Sequence, residues 1–129
     1  MSEVIAFGTG PLTAERIAQF SAAMADPNPV HRDPAFCTSI GLPGIIAPGG
    51  MAVVAIAHAV ALAYGAGAIR EIDVTFRSPV QAGESLQCGF AIEGEDETSV
   101  TLRCAATGDG GQVRADGIVI VDRGRGPSA

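Results

Sequence analysis

The spacing of hydrophobic positions changes period part-way along the chain. Before about residue 68 they recur every three or four residues; after it they alternate with polar ones. In "PLTAERIAQFSAAMAD", Ile17, Phe20, Ala23 and Met24 share a helical face, Thr13 is placed as N-cap and Glu15 sits in the first turn. Pro27 is expected to end that helix. "RDPAFCTSIG" predicts a short second helix with Asp33 as N-cap, Pro34 at the first helical position and Gly41 as the stop. After the loop "LPGIIAPGG", Gly49 and Gly50 open a third helix. Its body, "MAVVAIAHAVALAY" (Met51 to Tyr64), carries no formal charge and closes at Gly65 to Gly67.

The alternating half predicts strands. Ile72, Val74 and Phe76 alternate with Asp73, Thr75 and Arg77. Leu86, Cys88, Phe90 and Ile92 form a second such series, and Val100, Leu102 and Cys104 a third. "QVRADGIVIV" ends as a continuous β-branched run, and "PVQAGE", "GEDET" and "GDGG" supply the turns. A helix apolar on every side needs protein around it. The physical solution is an α+β fold in which a curved antiparallel sheet wraps around that helix. Such a layer leaves an edge strand uncovered, which favours a homodimer. One domain over residues 1–129 is expected, with 122–129 a frayed tail.

Composition narrows the function classes. Of 129 residues 47% are hydrophobic but only 5% aromatic, so aliphatic side chains must build the core. The net charge is −6 and every cation is Arg, which argues against nucleic acid or an anionic membrane surface as partner. The third helix is too short to span a bilayer, which takes roughly 20 apolar residues. Cys37, Cys88 and Cys104 have no paired spacing, so neither a disulfide framework nor a metal site is indicated. The start "MSEVIAFGTG" lacks the basic region and apolar core of a signal peptide. These features together read as a soluble cytoplasmic domain.

The chemistry concentrates in "MADPNPVHRDP", Met24 to Pro34. Asp26 and His31 lie five residues apart, with Pro27 and Pro29 between them. Each proline fixes its own φ and pushes the residue before it towards extended backbone. Side chains on so stiff a loop lose little entropy when held in one geometry, as an acid/base pair requires. A plain Asx turn and a loop histidine would be the structural alternative. Asp33 needs no role beyond its cap. Gly50 opens the apolar helix, where amides are unpaired and the dipole is positive, so its N–H is the candidate oxyanion donor.

"SAAMADPNPVHRDPAF" closely resembles the signature of MaoC-like hotdog-fold hydratases, Asp-x-Asn-Pro-x-His-x-Asp, matched at Asp26, Asn28, Pro29, His31 and Asp33. "GLPGIIAPGGM" stands where that family has a stretch ending His-Gly-Met, with Gly49 in place of the His. "VTFRSPVQAGESL" resembles its Phe-x-x-Pro-Val-x-x-Gly-Asp/Glu strand and turn. The resemblance implies a hotdog fold and (R)-specific hydration of trans-2-enoyl thioesters, or the reverse dehydration of 3-hydroxyacyl thioesters. It implies no cofactor or metal, and an acyl-CoA or acyl-carrier thioester as substrate.

Carried onto this chain, Asp26 and His31 are the catalytic pair, and Asn28 and Gly50 contact the substrate or brace the loop. A lone His58 inside the apolar helix is read first as a neutral core histidine hydrogen-bonded to a neighbour. Because the family often has a small polar residue about two turns into this helix, near the pair, the resemblance also implies a supporting role. Arg32, Arg70 and Arg77 are candidate contacts for the carrier's phosphates, although an exposed strand Arg is more often just solvated. One rival is a non-catalytic hotdog subunit that shapes the acyl tunnel of a heteromeric dehydratase. The other is a hotdog thioesterase, which would want an acidic residue on the central helix; residues 51–64 contain none.

Overall fold

The computed structural model describes residues 4–125. Five strands form one antiparallel sheet in the order β1-β3-β4-β5-β2. They are β1 (Val4–Pro11), β2 (Ile69–Phe76), β3 (Ser85–Glu95), β4 (Ser99–Thr107) and β5 (Val113–Asp122). Three helices precede β2: α1 (Ala14–Ala23), α2 (Pro34–Ser39) and α3 (Gly49–Tyr64). Register shifts interrupt the β1/β3, β2/β5, β3/β4 and β4/β5 ladders. Such bulges bend a sheet, and here they let it curl so that α3 touches all five strands. This is the α+β hotdog arrangement.

Ala52, Ala55, Ile56, Ala59 and Val60 of α3 pack against Leu86, Leu102, Val119 and Val121 of the sheet. Small residues on the helix let its axis come close to the strands, so a core nearly free of aromatics still closes. The sheet covers one face of α3 only. Val54 and Leu62 are each 56% exposed and His58 is exposed as well, so the sheet wraps the inner face of α3 and the single chain leaves the outer face open. Among the described residues no helix is long and apolar enough to cross a membrane.

Several local expectations hold. The Thr13 hydroxyl accepts the Arg16 N–H at 3.1 Å and the Asp33 carboxylate accepts the Phe36 N–H at 3.1 Å, as N-caps should. Gly65, at φ +87°, ends α3. Others do not hold. The buried face of α1 is Ile17 with Ser21, while Ala23 and Met24 are exposed. β1 had no counterpart in the periodicity reading. β5 runs through Asp122, and Arg123–Arg125 continue as a 3-10 turn in which the Arg123 N–H donates to the Thr98 carbonyl at 2.9 Å. The expected tail therefore begins later than residue 122, and 126–129 lie outside the described residues.

Candidate active site

The loop that carries Asp26 and His31 begins with a forced turn. α1 ends at Ala23, three residues ahead of the last residue before Pro27, because Ala25 adopts a left-handed conformation at φ +53°. The Ala25 N–H donates to the Ala22 carbonyl at 3.1 Å, and the Asp26 N–H to the Ser21 carbonyl at 2.9 Å. This is the Schellman closure, with alanine where glycine is usual. It aims the chain sharply away from α1 and delivers Asp26 immediately after the turn.

Beyond it every polar group braces the loop. Asp26 Oδ1 accepts the Asn28 N–H at 3.0 Å, so the Asx turn is present. Asn28 Oδ1 accepts the Val30 N–H at 3.1 Å and caps the 3-10 turn Pro29–His31. Arg32 Nη2 donates to the Pro27 carbonyl at 2.9 Å. The Asx turn and the acid/base pair are not alternatives, since they use different oxygens of one carboxylate.

The other oxygen, Asp26 Oδ2, lies 3.2 Å from His31 Nε2, with side chains 35% and 9% exposed respectively. His31 Nδ1 lies 2.8 Å from the Ile46 carbonyl. A carbonyl can only accept, so Nδ1 carries a hydrogen. Nε2 is thereby left facing Asp26 Oδ2. An imidazole nitrogen and a carboxylate oxygen placed so close can serve as the two members of an acid/base pair.

Ile46 is itself held. Its N–H donates to the Val30 carbonyl at 3.1 Å, while Ala47 N–H reaches the Val80 carbonyl at 2.8 Å and Ala82 N–H the Ile45 carbonyl at 3.0 Å. The imidazole is thus positioned by the β2–β3 turn as well as by its own loop.

His31 opens on a cleft of about 400 Å³. Of the four expected site residues, Asn28 and His31 line it; Asp26 stands beside the imidazole and is not part of the lining. Gly50 is not in the lining either, and a Cβ there would lie 3.3 Å from the Phe20 ring. Its neighbour Gly49 is in the wall. Met51 N–H is taken by the Pro48 carbonyl at 3.0 Å, and Pro48 supplies no side-chain cap. The Gly49 and Gly50 N–H groups therefore have no partner within the helix.

Gly49 is also explained sterically. A Cβ there would meet Phe76 Cζ at 2.7 Å, so the Phe76 ring occupies the space of a side chain at 49. His58 is placed elsewhere. It stacks on Phe7 with ring centroids 4.3 Å apart and lines a second cavity of about 230 Å³ that shares no residue with the first. The expectation that it supports the pair is corrected on that ground.

Two arginines complete the cleft. Arg77 was among the sequence candidates; Arg114 was not. Arg77 Nε donates to Asp116 Oδ1 at 2.8 Å, and Arg114 Nε to Glu84 Oε1 at 2.9 Å. Arg32 and Arg70 are absent from the lining; Arg70 pairs instead with Asp122 at 3.4 Å. No local pattern marks Arg114, because its partner lies 30 residues away and only the β3-β4-β5 meander brings them together.

No curated protein matches the sequence. The fold is shared with the unliganded R-hydratase PhaJ1 from Pseudomonas aeruginosa, at TM-score 0.81 and 23% identity, over 99% of this chain and 80% of that one. It is shared too with the (R)-hydratase from A. caviae involved in PHA biosynthesis, at TM-score 0.80 and 22% identity, over 94% and 97%. A C-terminally truncated HadBC (3R-hydroxyacyl-ACP dehydratase) complex from Mycobacterium tuberculosis gives TM-score 0.70 and 21% identity over 89% and 90%. At such identities these likenesses speak for the fold. The sequence itself matches the MaoC-like domain over residues 4–112, which takes in the Asp26–His31 loop, α3 and most of the sheet, and the chain belongs to that family.

Proposed function

We propose that the chain is an (R)-specific hydratase of trans-2-enoyl thioesters, or the dehydratase of the corresponding 3-hydroxyacyl thioesters. The observation that supports this reading is the approach of Asp26 Oδ2 to within 3.2 Å of His31 Nε2, beside a cleft that ends on the N-terminus of α3.

Hydration needs a base for water and an acid for C2. One water gripped by the pair adds its oxygen to C3 and leaves a proton on the pair's vacant basic atom. Electron density moves onto the thioester oxygen at the helix N-terminus, where Gly49 is in the cleft wall and the N–H of the adjacent Gly50, which does not itself line the cleft, is the proposed donor. The pair then delivers a proton to C2. Each turnover returns the pair to its starting protonation, so no further reagent is consumed. Asn28 holds the carboxylate still through its own N–H.

The protein acts as one domain and as a homodimer in this reading. Ile72 on β2 and the outward face of α3 expose apolar surface, and Phe76, 57% exposed, stands both on that edge strand and in the cleft wall. A second copy laid along β2 would cover the edge and close the cleft. The rival reading, a non-catalytic subunit, draws on the dehydratase complex among the structural likenesses.

One assay separates them. The purified chain alone should deplete the enoyl absorbance of crotonyl-CoA and yield the (R)-3-hydroxyacyl product on chiral chromatography, and it should sediment as a dimer. A folded chain without turnover on its own would favour the non-catalytic subunit.

A further inference from the structure

Part of the cleft wall is built from the end of β2 and the start of β5. The β2/β5 ladder closes at Phe76 and Ala115, and the Arg77 N–H continues it by donating to the Arg114 carbonyl at 2.8 Å. Arg77 and Arg114 therefore stand at paired positions across the two strands. Like charges set opposite each other are unfavourable unless something of opposite sign lies between or behind them.

Behind them, each has a carboxylate on Nε: Asp116 for Arg77 and Glu84 for Arg114. Arg114 is held further by Nη1 to the Ser78 hydroxyl at 2.9 Å, while Glu84 Oε2 accepts the Gln81 N–H at 3.0 Å. The Arg114 and Glu84 side chains are 14% and 7% exposed. A Cβ at position 108 would run into Glu84 Oε1, so the clamp depends on Gly108.

What remains uncommitted points to a ligand. A guanidinium has five N–H groups, and Arg114 spends two of them and Arg77 one on the described residues. The cleft lining includes both arginines and Ser78 but neither Glu84 nor Asp116. Among the described residues the lining holds no carboxylate at all, in a chain of net charge −6. A buried ion pair seldom outperforms packed apolar side chains as a source of stability. Here it holds a guanidinium in the cleft wall with N–H groups left over, as charge-assisted recognition of an oxyanion requires.

We propose that Arg77 and Arg114 form an oxyanion subsite of the cleft, which takes a carboxylate or phosphate of the bound thioester. The proposal rests on the thioester reading above and adds to it a charge requirement on the substrate. The oxyanion has two possible sources, a phosphate of the carrier or a carboxylate at the far end of the acyl chain.

Binding, not turnover, tests it, so that failure of the hydration assay leaves the result readable. The probes are the saturated, unreactive thioesters butyryl-CoA, butyryl-N-acetylcysteamine and glutaryl-N-acetylcysteamine, titrated calorimetrically into the purified protein. The wild type should bind one of the two anionic probes at least about tenfold more tightly than the uncharged one, as charge-assisted bonds allow. Preference for butyryl-CoA assigns a carrier phosphate; preference for the glutaryl thioester assigns an acyl carboxylate. Arg77→Gln and the double variant Arg114→Gln/Glu84→Gln, which leaves no lone buried charge, should each erase most of that preference. Arg77 is exposed, so its variant tests the idea even if the double variant does not fold. No preference in the wild type, or one that a folded Arg77→Gln protein keeps in full, overturns the proposal.

Discussion

Replacing Asp26 by Asn separates the two jobs of that carboxylate. Asn keeps Oδ1 for the Asn28 N–H, so the Asx turn at 3.0 Å survives. Its Nδ2 can donate to His31 Nε2, while Nδ1 keeps its hydrogen on the Ile46 carbonyl, so the ring stays where it is. Every contact is conserved; the basic carboxylate oxygen facing the imidazole is not. A positioned acid or base contributes about 10² to 10⁴ in rate, or about 3 to 5 kcal/mol of barrier. Stability should hardly change: a neutral hydrogen bond replaces a charge-assisted one, a difference of about 1 kcal/mol or less at a group one-third exposed. For a chain of this size that is a fall in Tm of about 4 °C at most. The assay is loss of enoyl absorbance with crotonyl-CoA, read beside a thermal melt. His31→Ala should match the loss in rate but melt lower, because the Ile46 carbonyl loses its donor, and the double variant should be scarcely slower than either single. A folded Asp26→Asn protein with wild-type turnover would refute the reasoning.

Other perturbations probe the surroundings. Ala25→Gly should raise Tm, because relief of a left-handed alanine, about 1 kcal/mol or more, outweighs the added freedom of the unfolded chain; a lower Tm would show that the turn is unstrained. Gly49→Ala should melt near the wild type, since the Phe76 ring it displaces is exposed, while KM for the enoyl thioester changes several-fold; collapse of the fold would show the ring to be locked. Asp96, in the β3–β4 turn, is held below the usual carboxylate range, chiefly by the Thr98 and Ser99 backbone N–H groups. A depressed carboxylate stabilises the fold above its unfolded value and loses that contribution as pH falls through the folded one. Asp96→Ala should therefore lower Tm at neutral pH, with a gap that narrows in strong acid; a gap independent of pH would remove the charge from the account.

The sequence was most legible where chemistry and geometry are both local. Thr13 and Asp33 as caps, and Asp26 with His31 on a proline-stiffened loop, could be placed from residue types and short spacings. α1 was misread at its end because Ala25 takes a glycine's conformation, which no composition rule anticipates. β1 went unseen because Gly8, Gly10 and two register shifts break its alternation. α3 was rightly recognised as the filling, yet uniform apolarity cannot tell a helix wrapped by its own sheet from one shared with another surface. Arg114 escaped because its meaning lies in Glu84 and Ser78, far along the chain and near only once the sheet has formed. Local signals thus found the reacting pair, and tertiary contacts alone revealed the cleft wall.

The stitching of Ile46 bears on how this protein could be altered. Val30 grips Ile46, Ile46 orients the imidazole, and the flanking Ala47 and Ile45 are tied to Val80 and Ala82. Segments 26–31, 45–47 and 79–82 thus behave as one mechanical block assembled from three stretches of chain. Chimeras that exchange the proline loop alone would strand the imidazole on a foreign support. Transplanting all three stretches together is the smallest graft that keeps the pair intact, while the exposed hairpin tip at 96–98 sits outside that block and can accept inserted residues without disturbing it.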